Sequence, residues 1–265
     1  MSNPLRIGFI GGGFITRFHI QSLCQVRDCV VAGVADMSKD AAESAAALAQ
    51  STGVGPEARA FESAEAIAAD PEVDALWVCA PNHARIQVLK AIRDGAMNRA
   101  EALKGICAEK PLARTLAEAL EVKALAEEIG SPTGYLEDML FAPSLVRGRE
   151  VLWRRGAANA GRPYLARASE EHGGPHSAWF WKKETAGGGV LLDMMCHSIE
   201  AARWMLTEPG APRDSLTPIE VSATCANLKW IQPKYANQLS EKFGGEVDWA
   251  ADPTEDFARA TVKWR

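Results

Sequence analysis

The chain has 265 residues, of which 47% are hydrophobic and 24% charged, with a net charge of -5. This length suits one large domain or two ordinary ones, and the composition excludes wholesale disorder and collagen-like sequence. An acidic balance with no basic run argues against nucleic acid or anionic membrane as partners. No apolar stretch approaches the roughly 18 residues of a membrane helix. The cysteines at 24, 29, 79, 107, 196 and 225 form no C-x-x-C pair, which predicts free, buried thiols and a cytoplasmic location.

From the N-terminus, apolar runs of strand length stand at Leu5–Ile10, Cys29–Ala35, Ala75–Ala80 and Gly105–Ala108, with helical patterns between most of them. They are continuous, as at Val30, Val31 and Val34 or Trp77 and Val78, which predicts parallel strands covered on both faces. The fold class is therefore α/β, with a doubly wound parallel sheet. After Pro111, the spacing of Leu116, Leu120 and Ala124 predicts a helix with that face on the core. Near Gly130 the rhythm changes, dividing the chain into domains over 1–132 and 133–265. In the second, helices are predicted over Ser144–Arg155 and Val190–Met205. Strands are predicted over Tyr164–Glu171, Ile219–Thr224 and Phe257–Trp264, giving an α+β domain.

Directly after the first strand comes Gly11-Gly12-Gly13-Phe14-Ile15-Thr16, opening a helical pattern. Gly11 suits a tight turn, and Gly13 lets the backbone approach a pyrophosphate whose charge the helix N-terminus favours, with Phe14 and Ile15 beside it. Thr16 stands where the motif has its third glycine. Asp36, closing the second strand, can accept hydrogen bonds from an adenosine ribose and would repel a 2'-phosphate. The cofactor is expected to be NAD, with NADP the alternative through Ser38 and Lys39.

Farther on stand Pro81-Asn82-His83, Glu109-Lys110-Pro111 and Gly187-Gly188-Gly189-Val190-Leu191-Leu192-Asp193-Met194-Met195-Cys196-His197. In this order, and with the glycine turn, they resemble the glucose-fructose oxidoreductase, inositol dehydrogenase and MocA-like family. The resemblance implies an N-terminal Rossmann domain and a C-terminal domain with an open, mostly antiparallel sheet that mediates homo-oligomerisation. It also implies hydride transfer between a nicotinamide and a sugar or polyol. Lys110 then corresponds to the active-site lysine, Asp193 and His197 to the acid-base pair, and Glu109 to a residue near the nicotinamide. Pro81, Asn82 and His83 join the cofactor-binding set. Arg85 stands where many members carry histidine, and Met195 replaces a common glycine.

Four-residue spacing would put Asp193 and His197 on one helix face, where the carboxylate orients the imidazole. A surface ion pair or a helix cap is the competing reading of that spacing. The cluster Glu171, His172 and His176, with Trp181 nearby, suits a polyol: carboxylate and imidazoles for hydroxyls, an aromatic face for the ring. No metal is expected, because nicotinamide chemistry needs none. The function expected is NAD(P)-dependent oxidation of a sugar or polyol alcohol, or the reverse reduction. The alternatives are an NAD-retaining glycoside-cleaving enzyme and a non-catalytic cofactor-binding regulator. The strand pattern at the C-terminus, set against the usual length of such proteins, also raises the expectation of a truncated chain.

Overall fold

The computed structural model describes residues 3–247, 249 and 253–265. The chain divides into two compact units, Met1–Leu136 and Glu137–Arg265.

The first unit runs β1 (Leu5–Ile10), α1 (Phe14–Leu23), β2 (Cys29–Ala35), α2 (Lys39–Ser51), β3 (Arg59–Phe61), α3 (Ala64–Ala69), β4 (Ala75–Val78), α4 (Arg85–Ala96), β5 (Gly105–Glu109), α5 (Leu116–Ile129) and β6 (Thr133–Leu136). All pairings are parallel, in the order β3-β2-β1-β4-β5-β6. This is the expected doubly wound sheet, and its order reverses between β1 and β4, where the C-terminal strand ends open a ligand crevice. Alternation along each strand loads both faces. Ile7, Phe9 and Val34 pack with Ile20, Leu23, Ala45 and Ala49 on one side. Leu76, Val78 and Ile106 pack with Leu89, Ile92, Val122 and Leu125 on the other. Ser38, Ser63 and Thr115 accept backbone N–H bonds as N-caps of α2, α3 and α5, which fixes where those helices start.

Two strands exceed the expectation. The short edge strands β3 and β6 were not foreseen, and β6 extends the first unit to Leu136. The helix after Pro111 also faces differently. Leu116 and Leu120 are 77% and 58% exposed, whereas Val122 and Leu125 are buried, with Ile129 packed beside them. Ion pairs from Lys90 to Glu121 and from Arg93 to Glu128 tie α5 to α4 in that orientation.

Below the sheet, Asp74 Oδ2 accepts from the Arg6 backbone N–H at 2.9 Å and Nε at 3.1 Å, and Oδ1 pairs with Lys104 Nζ at 2.9 Å. Burial alone would raise the Asp74 carboxyl, but these cationic partners outweigh it and hold it well below the usual carboxylate range.

The second unit contains α6 (Pro143–Val151), a π turn over Leu152–Gly156, α7 (Ala157–Ala160), α8 (Lys183–Ala186), α9 (Val190–Asp193), α10 (Met195–Leu206), β7 (Pro218–Ala226), α11 (Pro233–Phe243) and β8 (Phe257–Trp264). β7 and β8 form an antiparallel pair. Trp181, Leu239, Val247 and Trp249 form its buried cluster, with Trp230 and Phe243 against it. The strand expected over Tyr164–Glu171 does not form. The segment lies outside the β7–β8 ladder, and Tyr164 and Leu165 are 92% and 62% exposed. All six cysteines are free thiols, as expected, but they are not uniformly buried: Cys24 and Cys225 are exposed and the other four only half-buried. Among the described residues, no helix is long and apolar enough to cross a membrane.

Candidate active site

At the end of β1 the chain turns at Gly11, whose φ of +100° lies in the left-handed region, and where a Cβ would come 2.9 Å from the Cys79 carbonyl oxygen. Both facts demand glycine. Asp36 braces this turn from the end of β2: Oδ2 accepts the Gly12 N–H at 2.7 Å and Oδ1 the Ser38 N–H at 2.8 Å. Each carboxylate oxygen keeps a lone pair for a ribose hydroxyl. Gly13 begins α1 without a side-chain cap, and a Cβ there would meet nothing within 4 Å. Open space before uncapped helix N–H groups is what a pyrophosphate needs, so this turn fits a dinucleotide. Phe14 is exposed and Ile15 half-buried beside it. Thr16 is fully buried, and its hydroxyl donates to the Gly11 carbonyl. The missing third glycine is thus replaced by a residue that locks the turn.

Beyond β4, Asn82 is buried and His83 exposed in a 3-10 turn that follows Pro81. Arg85, 1% exposed, sends its guanidinium back beneath the strand ends: Nη1 donates to the carbonyls of Glu109 and Pro111, and Nη2 to that of Ala80 at 2.7 Å. Burial works against its charge and lowers its pKa. Glu109, expected near the nicotinamide, turns its carboxylate inward. Oε1 meets His19 Nε2 at 2.6 Å, and Oε2 accepts the Lys110 N–H at 3.1 Å. Lys110 is partly buried, and its bond to Pro111 is cis. Neither Arg85 nor His19 was singled out as a site residue; a charged residue opening a helix reads as surface.

In the second unit, the helix expected over Val190–Met205 is broken at Met194 (φ -111°) into α9 and α10, so Asp193 and His197 do not share one continuous helix. His197 is buried in the first turn of α10, and its Nδ1 lies 2.5 Å from Oε1 of Glu137, just after β6. The carboxylate that engages this ring nitrogen is therefore Glu137, a residue that spacing could not reveal, since 60 positions separate the pair. Asp193 is partly buried at the end of α9. Glu255 supports this region by accepting the N–H groups of Gly189 at 2.8 Å and Leu191 at 3.1 Å. A Cβ on Gly189 would fall 2.0 Å from the Glu255 carbonyl oxygen, which explains that glycine.

Glu171, His172 and His176 are exposed. The His172 Nδ1 accepts the Gly174 N–H at 2.9 Å and its Nε2 lies 2.9 Å from the sulfur of Met194, the residue that follows Asp193. His176 meets Phe180 edge-on at 5.7 Å. Trp181, expected against a sugar, is instead core: 3% exposed, with Trp249 and Trp230 at 5.1 and 5.5 Å. Among the described residues, two sets of potential metal donors include these same side chains, His19, Cys79 and Glu109 in the first unit, and Glu137, Cys196 and His197 in the second, each with donor atoms within 4.8 Å of one another.

Two family profiles match this sequence. One, described as an oxidoreductase family with an NAD-binding Rossmann fold, covers residues 5–134, and the other, a GFO/IDH/MocA C-terminal domain, covers residues 157–264. A 1,5-anhydro-D-fructose reductase of Ensifer adhaerens is 33% identical over 67% of this chain and 50% of its own length. A D-glucoside 3-dehydrogenase of Escherichia coli is 29% identical over 78% of this chain and 56% of its own. GenD2 from gentamicin A biosynthesis, solved in complex with NAD, superposes over 99% of this chain and 63% of its own with a TM-score of 0.69 at 24% identity, a likeness of fold. The chain thus spans about half the length of the curated relatives named here.

Proposed function

Because the chain belongs to the GFO/IDH/MocA family of oxidoreductases, we propose that it is a cytoplasmic NAD-dependent dehydrogenase that oxidises a secondary alcohol of a sugar or polyol, or reduces the matching ketone. Two of its relatives are named for reactions on an anhydro sugar and on glucosides, which supports a sugar as the substrate class. The observation that carries the reading is the dinucleotide turn, already braced by Asp36 and open at Gly13.

Gly11, Gly13 and the N-terminus of α1 hold the pyrophosphate in this reading, Asp36 holds the adenosine ribose, and the Pro81-Asn82-His83 turn flanks the cofactor. The bound nicotinamide supplies a hydride acceptor. His197 takes the hydroxyl proton on Nε2, while Lys110 and Asp193 hydrogen-bond the reacting and neighbouring oxygens. Glu171, His172 and His176, all exposed, serve further hydroxyls. We further assign homo-oligomerisation to the exposed β7–β8 sheet.

A nicotinamide absorbance screen over inositols, aldoses, anhydro sugars and glucosides tests this, with tightly bound nucleotide assayed first. Substrate-dependent reduction of NAD supports it, with a rate that rises with pH as the base loses its proton. Glycoside cleavage without net NAD reduction would transfer the site to the NAD-retaining alternative. Absence of nucleotide binding would overturn the reading.

A further inference from the structure

Resting on the assignment of His197 as the base, we propose that Glu137 is the positioning residue of that base, fixing the tautomer in which Nε2 is free to accept the substrate proton. Both side chains are buried, Glu137 to 5% exposure and His197 to 7%, and Oε1 meets Nδ1 at 2.5 Å. An ionised carboxylate can only accept, so Nδ1 must carry the hydrogen. In the neutral ring the other nitrogen is then bare, the reverse of the tautomer that predominates for histidine in water. The second carboxylate oxygen, Oε2, is buried with no hydrogen-bond partner among the described residues. The imidazole is therefore the polar group this carboxylate serves here. When Nε2 gains the proton from the breaking O–H bond, the buried pair becomes imidazolium and carboxylate, and the new positive charge arises beside a fixed negative one. The Nδ1 hydrogen stays where it is, and Glu137 neither gains nor loses a proton.

The geometry also explains why position matters. Glu137 directly follows β6, whereas His197 lies in the first turn of α10, beyond the break at Met194. Each is thus held at an element end, and replacing the carboxylate by a neutral group alters their bond without removing a whole packed face.

The test uses the full chain labelled with 15N-histidine, whose five imidazoles are few enough to resolve. Long-range proton–nitrogen correlations identify the protonated nitrogen of each neutral ring, and His197→Gln assigns the signal. In the wild type, His197 is expected as the Nδ1–H tautomer. In Glu137→Gln, whose amide can either accept from or donate to Nδ1, the Nε2–H form should grow in. In Glu137→Asp, which keeps the acceptor, the wild-type tautomer should be largely retained. Near-UV circular dichroism checks that each variant is folded; if Glu137→Gln is not, the wild type and Glu137→Asp still decide. With the polyol accepted in the absorbance screen, Glu137→Gln should lower kcat on the order of a hundredfold, the scale of general base catalysis, with KM nearly unchanged. An Nε2–H tautomer in the wild type, or the same tautomer in all three proteins, overturns the positioning role. Wild-type turnover in His197→Gln alongside the expected tautomers would instead overturn His197 as the base, so the two failures are distinguishable.

Discussion

Arg85→Met keeps much of the aliphatic length of the side chain but removes a guanidinium that bridges the ends of two central strands. Three carbonyls, those of Ala80, Glu109 and Pro111, lose their donor. Leaving a buried polar group unpaired costs about 1–3 kcal/mol, so the gross loss is about 3–9 kcal/mol. Against it stands the relief of no longer burying a cation, several kcal/mol, and this cation is imperfectly served because its Nε has no partner among the described residues. The net destabilisation expected is about 2–5 kcal/mol, or about 4–20 °C in Tm at roughly 2–4 °C per kcal/mol for a chain of this size. Urea unfolding followed by far-UV circular dichroism reads the first figure, and a thermal melt the second. Nicotinamide nucleotide should also bind less tightly, because the bridge sits under the loops that carry Asn82 and Lys110. A variant within about 0.5 kcal/mol of wild type, with unchanged nucleotide affinity, would show that the bridge contributes neither stability nor position.

Titration calorimetry of Asp36→Ala should find the preference for NAD over NADP narrowed, since the carboxylate at the end of β2 is the group that repels the extra phosphate; an unchanged ratio would refute that cause. Asp74, with its pKa lowered on folding, contributes stability above its unfolded pKa of about 3.9 that is lost as pH falls through the folded value. Asp74→Asn should therefore be less stable at pH 7 and lose less on acidification below about pH 4, as urea midpoints across that range will show. Burial pushes the Cys79 thiol up to about 12, whereas Cys24 and Cys225 are exposed. Alkylation with mass mapping at mildly alkaline pH should label those two well before Cys79.

The strands legible in the sequence were those buried on both faces, because Leu5–Ile10 and Cys29–Ala35 have no room for polar residues between apolar ones. Arg59–Phe61 and Thr133–Leu136 carry no such run: they are short edge strands, half exposed, and owe their conformation to the neighbours that pair with them. Tyr164–Glu171 failed in the opposite sense, since local alternation means little without a strand beside it. At the site, the glycine turn and Asp36 were readable because their spacing follows from one βαβ unit. Glu137 was not, because its partner is 60 residues away, and neither was the inward turn of Glu109 toward His19. Trp181 shows the limit of composition: an aromatic among imidazoles suits a sugar and a core equally, and burial decided for the core.

The cluster around Trp181 makes the chain's own fluorescence an uneven witness. Of eight tryptophans, Trp77 alone belongs to the first unit, where its ring centroid lies 4.8 Å from that of His19, and the other seven belong to the second. Emission during unfolding will therefore be dominated by the Glu137–Arg265 unit. An experimenter who follows that light alone would record one transition and miss the other. Replacing Trp77 with phenylalanine would leave nearly the whole signal in place, whereas far-UV circular dichroism, weighted by the helices of both units, would follow the dinucleotide turn's own scaffold.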